Sequence, residues 1–516
     1  MGETTTEAPQ ELSQVLRHRR EKLEALRAKG IEPFAYNYER SADAAGAVGA
    51  FEAAEEGGTL DDKGHGERVK VGGRLVGWRD MGRSIFAHLE DASGRIQLYF
   101  RKNVLGEDSF ETLGLLDVSD WLGAEGPTFR TRTGEVTVQV ESWTLLAKSL
   151  RPLPFGKVES DPETGERIVH SGFADQETRY RQRYADLAVH PEVREVFRLR
   201  SRVITELRRF LDDEGFLEVE TPVLQPLYGG ASAKPFVTRH NALDQTMYLR
   251  IADELYLKRL IVGGLDRVYE ISKDFRNEGL SRVHSPEFTM LEWYQAFSDY
   301  EDQMDLCERM IVHVLDEVMG TREVTFGGHD LTVQTPFRRL GLVSGLSEAL
   351  GRDVHEMDED ALREEAERRK VPDLDGAGRG KLIDKLFGEL VEPGLTEPTF
   401  VIDHPKELSP LAKPHRDDPR LTERFELYMG GAEVFNAFSE LNDPIDQRER
   451  FEAQVALREA GDDEAQQIDE DYIRALEYGM PPTGGVGMGV DRFVMMLLGQ
   501  PTIRDVILFP MLRNEE

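Results

Sequence analysis

The chain has 516 residues, with 97 acidic against 64 basic side chains and a formal net charge of −33. At that length more than one hydrophobic core is expected, and 39 % hydrophobic with 31 % charged residues describes a soluble, folded chain rather than a disordered one. No apolar run is long enough to span a bilayer, the N-terminus carries no basic-then-apolar leader, and the single cysteine, Cys307, excludes a disulfide framework and a thiolate zinc site, so a reducing cytoplasm and no membrane are expected. The acidic total argues against a non-specific polyanion binder. It does not argue against one selected RNA, because binding depends on where the charges sit.

In chain order, residues 11–30 read as a surface helix with Ser13 as its cap and Gly30 as its stop. Arg17, Arg19, Arg20, Lys22, Arg27 and Lys29 make it locally basic, which is either a solvated face or a contact with a polyanion. Residues 40–66 are rich in Ala, Gly, Glu and Asp and read as a linker or a loosely packed insertion. Within 67–152, short β segments at 69–77, 84–90, 95–100, 128–132 and 135–140 are separated by turns such as Ser93-Gly94 and Thr133-Gly134, a pattern that predicts a small barrel. A polar connector with Pro152, Pro154 and the run Ser160 to Arg167 extends over 153–180. The remainder, 181–516, reads as one large α+β domain. Val196, Leu199, Val203, Leu207, Phe210 and Leu211 fall on one helical face that Gly215 ends, and residues 216–222 form a strand closed by Pro222. Two further strands are predicted at 267–272 and 288–297, and the charged stretch at about 345–391 reads as a helical insertion.

Four constellations in this second domain carry chemistry. Arg276 and Glu278 stand two apart at a strand end and point to one side, suited to a phosphate and to an amino group, and His284 and Phe288 follow on the returning strand. Gly484-Gly485-Val486-Gly487-Met488-Gly489 leads into Asp491-Arg492 and an apolar helix. It fits neither the dinucleotide fingerprint nor a P-loop. Its glycines would let a strand lie flat against a ligand, with Arg492 reaching a phosphate; the alternative is close helix–strand packing with an Asp491–Arg492 surface pair. Glu426, Glu433 and Glu440 are spaced seven and seven with a Gly430-Gly431 turn between the first two, which suits Mg²⁺ if they converge and an exposed acidic strand if they do not. Gly229-Gly230-Ala231 and Glu254 supply a close wall and a candidate partner for a cationic substrate group.

Taken in order, 216–222, 275–288 and 485–492 resemble the three signature motifs of the class II aminoacyl-tRNA synthetases. More closely, the chain resembles the bacterial-type class II lysyl-tRNA synthetases through Gly229-Gly230-Ala231, Pro235-Phe236, Asn241-Ala242-Leu243-Asp244, 247–264, 287–290, 438–443, 451–464 and 502–510. The resemblance implies an N-terminal OB-fold anticodon-binding barrel and a catalytic domain built on an antiparallel sheet flanked by helices. It also implies a homodimer formed through motif 1 near Pro222, with L-lysine, ATP, Mg²⁺ and tRNA(Lys) as ligands. Carried over residue by residue, Arg79, Phe86 and Gln97 hold the central anticodon uridine. Arg276 sits on the α-phosphate and Arg492 on the γ-phosphate; Phe288 and Arg492 enclose adenine, Glu278 accepts from its amino group and His284 contacts a phosphate. Glu426 and Glu433 bind Mg²⁺. Glu254 and Glu440 receive the lysine ammonium with Tyr294 nearby, while Asn436, Phe438 and Gly230 shape the rest of the lysine pocket.

The chain also departs from the family pattern. Val283 stands where the family has an Arg before the motif 2 His, so either Arg282 serves in a shifted register or the contact is lost. Phe435 stands where a small residue is usual, either narrowing the pocket or pointing into the core behind it. Tyr228 and Lys234 replace a usual Pro and Arg. Glu254 and Glu440 argue against an aspartyl or asparaginyl enzyme, the full barrel against a paralogue with a non-tRNA acceptor, and the intact ATP and metal positions against an inactive tRNA-binding scaffold.

Overall fold

Along Ser84–Glu90, Ile85, Ala87 and Leu89 are buried while Phe86 and His88 lie on the other face, the period of two that builds one side of a barrel wall. A computed structural model of the chain describes residues 10–160, 167–170, 173–459 and 467–515. The chain divides into two units, residues 1–175 and 176–516.

In the first unit six strands follow the spatial order His65–Asp80, Ser84–Glu90, Arg95–Arg101, Val136–Val140, Trp121–Arg130, Ser142–Ala147. The long first strand also pairs antiparallel with Trp121–Arg130 and closes the barrel. Five strands were expected. The sixth is Ser142–Ala147, and the early start of Trp121–Arg130 was hidden by Gly123, Gly126 and Pro127, residues that normally mark turns. Gly123 is required because a Cβ there would come 2.3 Å from the Tyr38 ring.

The linker expected at 40–66 is a correction. Asp43 caps a helix at Ala44–Glu56 by accepting from the Gly46 amide at 2.7 Å, and Ala44, Ala47 and Phe51 are buried. The Asp91 carboxylate accepts from the Ala44 amide at 3.0 Å. The small residues that suggested a loose segment instead let the helix lie close on the barrel. Phe51→Ala should lower the unfolding free energy of the full chain's barrel transition by about 3 kcal/mol, read from urea melts.

The first helix spans Gln10–Ala28, so Ser13 lies within it rather than at its cap. Leu23 and Leu26 are buried. Two of the six basic residues at 17–29 are engaged with the barrel side of the unit: the buried Arg19 donates to the Val118 and Ser149 carbonyls at 2.9 and 3.0 Å, and the half-buried Lys22 pairs with Asp117 at 2.7 Å. Arg17, Arg20, Arg27 and Lys29 remain exposed. The connector contains a hairpin, Lys157–Ser160 with Arg167–His170; residues 161–166 lie outside the described residues.

The second unit is built on an eight-stranded sheet in the order Arg338–Gly341, Thr399–Pro405, Leu421–Met429, Ala432–Ser439, Thr483–Gly489, Glu287–Ala296, Arg267–Phe275, Leu217–Glu218. Only the two outermost pairings are parallel. The helix Pro191–Asp213 buries Val203, Leu207, Phe210 and Leu211, and Gly215 at φ +79° ends it. The strand expected at 216–222 pairs only at Leu217–Glu218. Beyond it the Thr221 amide is taken by the Glu270 carboxylate at 3.0 Å, which draws the chain off the ladder. The unit starts before residue 181, at Gln176, and Tyr180 donates to Asp505 at 2.8 Å. The insertion at 345–391 is helical, with helices Leu342–Leu350, Glu359–Arg369 and Arg379–Leu390 around their own core of Leu346, Leu362, Leu382, Ile383 and Leu386. The resemblance at 451–464 falls partly on residues 460–466, outside the described residues.

Candidate active site

All thirteen site residues expected in the second unit line one cavity of about 540 Å³ on the sheet. The three central strands explain this. Thr483–Gly489 lies between Ala432–Ser439 and Glu287–Ala296, and its glycines leave the floor open. At Gly485 a Cβ would meet Glu440 Oε1 at 2.0 Å and the Tyr294 ring at 2.4 Å, so no other residue fits. Gly230, at φ +90°, brings its backbone against Ala252 and Glu254.

At one end stand the arginines. The Arg276 guanidinium lies 5.0 Å from the centre of the Phe288 ring, a cation–π contact that fixes its plane. Arg492 sits in the first turn of the helix Val490–Leu497 and approaches the Glu433 carboxylate at 3.3 Å. Its other nitrogen donates to His284 Nε2 at 2.8 Å, which assigns the His284 proton to Nδ1, facing the Ser281 hydroxyl at 2.8 Å. Burial and the Arg492 and Arg276 charges hold the His284 pKa below its usual value, so the neutral ring acts here as a support for Arg492. Glu278 is exposed at the cavity mouth. Asp491 is buried and pairs with Arg200 at 2.6 Å, not with Arg492. Arg282 turns away to the Pro501 carbonyl at 3.1 Å, while Val283 lines the cavity, so no arginine takes the usual place before His284. Phe435 is fully buried, edge-on to Trp293 and Phe493, and points into the core.

Glu426 and Glu433 come together through the two-glycine turn, where Gly430 and Gly431 have φ of +60° and +75°. Burial resists ionisation of Glu426, but Arg424, at 2.6 Å, His404 and the Tyr428 hydroxyl, at 2.9 Å, outweigh it and hold its pKa below the usual value. Burial and the Glu426 charge push Glu433 up, against the pull of Arg492. Asp384 lines the same cavity and is raised chiefly by burial and secondarily by Glu426. Glu392 is raised to about 7 by burial and by the Glu426 and Glu433 carboxylates.

The opposite end is a buried carboxylate pair, Glu254 at the start of the helix Glu254–Val262 and Glu440 just beyond the Ala432–Ser439 strand. Sequence reasoning missed what lies between them. Lys258, fully buried one helical turn after Glu254, ion-pairs with both carboxylates. Its spacing of four from Glu254 was the available signal. It also missed Glu292, a buried carboxylate lining the cavity. Tyr294 donates to it at 3.0 Å, and burial together with the Asp253 and Asp274 charges pushes it well up. Asn436 accepts from Arg424 at 3.1 Å, and Phe438 lines the wall.

In the barrel, Arg79 and Phe86 are directly opposed across neighbouring strands, with the guanidinium 5.5 Å from the ring centre. Phe86 stacks on Tyr99 at 4.5 Å and 21° on the outer face, so it is not a core residue. Gln97, on the third strand, donates to Glu135 at 2.6 Å and accepts from Thr137 at 2.9 Å. Glu135 also meets His88 at 2.9 Å.

Comparison with known proteins agrees with both units. A family model described as tRNA synthetases class II (D, K and N) matches residues 175–513, and one described as an OB-fold nucleic acid binding domain matches 69–146. The chain is 50 % identical to a lysine–tRNA ligase of Carboxydothermus hydrogenoformans over 98 % of this chain and 99 % of that one. A lysine–tRNA ligase of Syntrophomonas wolfei is also 50 % identical, over the same shares. One from Bacillus subtilis is 47 % identical over 98 % of each chain. The chain therefore belongs to the class II tRNA synthetases of the D, K and N group.

Proposed function

We infer that the protein is a lysine–tRNA ligase: it activates L-lysine with ATP to lysyl-adenylate, releasing pyrophosphate, and passes the lysyl group to the 3′ end of tRNA(Lys). The observation that carries this reading is the buried Glu254–Glu440 pair at one end of a cavity whose other end holds Arg276 and Arg492. An ammonium loses too much hydration to enter a buried pocket unless carboxylates receive it. A neutral side chain entering the same pocket would leave those carboxylates unpaired.

The first step needs no general base, since the lysine carboxylate is ionised at neutral pH. One of its oxygens attacks the α-phosphorus, the bond to the pyrophosphate oxygen breaks, and pyrophosphate leaves. Catalysis then comes from alignment and charge stabilisation. Arg276, oriented by Phe288, serves the α-phosphate, and Arg492, backed by neutral His284, serves the γ-phosphate. Glu278 reaches the adenine amino group, and Phe288 provides a ring face for the base. In the second step a terminal ribose hydroxyl attacks the lysyl carbonyl and AMP departs.

The carboxylates fit Mg²⁺. Glu426 and Glu433 offer hard oxygen donors, and the crowding of acids that raises Glu433 and Glu392 is relieved by a divalent cation. A Mg²⁺ ion held there would supply positive charge to the phosphates. Glu426 and Glu433 would hold it, with Arg424 and Tyr428 fixing Glu426 in place.

The barrel reads the anticodon. Phe86 offers its face to the central uridine, with Arg79 and Gln97 at the base edge. The exposed Arg17, Arg20, Arg27 and Lys29 supply a contact for the tRNA backbone. Phe86→Ala should raise the KM for tRNA(Lys) about tenfold, as loss of one base–aromatic stack implies, and leave lysine activation unchanged in the absence of tRNA. Two copies of the chain pair through the region around Pro222, supported by the exposed apolar side chains of Leu217, Val223, Leu224 and Leu227. No helix among the described residues is long and apolar enough to cross a membrane. Charging of a tRNA(Lys) transcript with radiolabelled lysine tests the whole reaction; failure to charge it while charging tRNA(Asp) or tRNA(Asn) with their amino acids would reassign the substrate.

A further inference from the structure

We propose that Lys258 is a positioning residue that sets the charge and the geometry of the lysine-side-chain pocket: a fixed internal cation that binds one oxygen of each carboxylate and leaves the other for the substrate. This rests on the reading of Glu254 and Glu440 as the ammonium acceptors. Lys258 Nζ contacts Glu254 Oε1 and Glu440 Oε2. It is fully buried and is not among the cavity-lining residues, so it sits behind the two carboxylates. The remaining oxygens face the cavity. Glu254 Oε2 lies beside Gly230, 3.8 Å from where a Cβ would be, and Glu440 Oε1 lies against Gly485. Glu440 Oε1 is buried and has no hydrogen-bond partner among the described residues.

The charge count follows from the contacts. Two carboxylates without Lys258 would carry two buried negative charges side by side, and one would take up a proton. Burial raises the pKa of Glu254 and, further, that of Glu440 against the pull of Lys258, and it raises the neighbouring Glu292 as well. With Glu254 and Glu440 both ionised, Lys258 leaves the pair a single net negative charge, the complement of one further ammonium. Burial opposes the Lys258 ammonium, but Glu254 and Glu440 outweigh it and hold its pKa above the ordinary lysine value, so the internal cation stays charged. Its hold on Glu254 Oε1 and Glu440 Oε2 also fixes the rotation of both carboxylates, so the other oxygen of each stays turned toward the glycines that line the cavity.

The test measures KM for lysine and for ATP, with kcat, in pyrophosphate exchange by full-length E254Q, E440Q, K258M and K258M/E440Q. K258M should raise the lysine KM about tenfold or more while the ATP KM stays within about twofold. In K258M one of the two carboxylates takes up a proton, and K258M/E440Q leaves the same single negative charge, so its lysine KM should stay close to that of K258M, about tenfold below the product of the two single effects. Should K258M fail to fold by thermal melt, K258Q, which keeps a donor but no charge, is expected to give the same shift in lysine KM. An unchanged lysine KM in K258M, multiplicative effects in the double variant, or equal losses for lysine and ATP would overturn the role of Lys258. If E254Q and E440Q both leave the lysine KM unchanged, the lysine-site reading itself fails, whatever K258M does.

Discussion

Glu440→Gln should raise the lysine KM and lower kcat/KM for lysine by a factor of ten or more, on the order of 1.4 kcal/mol, in pyrophosphate exchange. The carboxylate is buried against Gly485, with Lys258 already on its other oxygen. Gln retains the shape and an acceptor but removes the charge, so the pair Glu254–Lys258 becomes neutral and offers little to a second ammonium. The loss should fall on lysine, because Glu440 is at the end of the cavity away from Arg276 and Arg492, and the ATP KM should move by less than about twofold. Unchanged lysine kinetics would remove Glu440 from the specificity site.

The larger effect on rate is expected at Arg276. Arg276→Ala should lower kcat of activation by about 10² to 10³, or about 3–4 kcal/mol, with a smaller change in the lysine KM. Charge develops on the oxygens around the α-phosphorus as the carboxylate attacks, and a donor already aimed at that place stabilises the transition state more than the bound substrate. The guanidinium needs no reorganisation, since its contact with Phe288 fixes it beforehand. Arg276→Lys should recover little of the rate, because a lysine ammonium lacks both the planar fork and the stack. Pre-steady-state measurement of adenylate formation distinguishes this from slowed release; an unaltered rate of formation would place Arg276 outside the chemical step.

Residues whose role follows from a face or a turn were legible in sequence. The alternation along Ser84–Glu90, the helical stripe of Val203, Leu207 and Phe210, and the Gly430-Gly431 turn that brings Glu426 to Glu433 all follow from local periodicity and backbone freedom. The four constellations of the second unit converge on one cavity, but spacing alone left each open to a blander reading; the convergence is a long-range fact of strand order. What escaped has the same cause. Lys258 reads as an ordinary cation on a helix until Glu440, 182 residues later, closes over it. Glu292 looks like an outward residue of a strand until the cavity is seen beneath it. The helix Ala44–Glu56 was missed because its composition resembles a linker, and only the barrel surface that covers Phe51 makes it a helix. Phe435 and Val283 differ from the family pattern, and only the packing shows that the first turns into the core and the second leaves the position before His284 without an arginine.

The most direct measurement is ATP–pyrophosphate exchange with Mg²⁺ and each of the twenty amino acids in turn, without tRNA. Lysine should support exchange and the others, aspartate and asparagine included, should give background. Exchange driven by another amino acid, or none with lysine until tRNA is added, would contradict the assignment of Glu254 and Glu440 as the lysine-recognising pair.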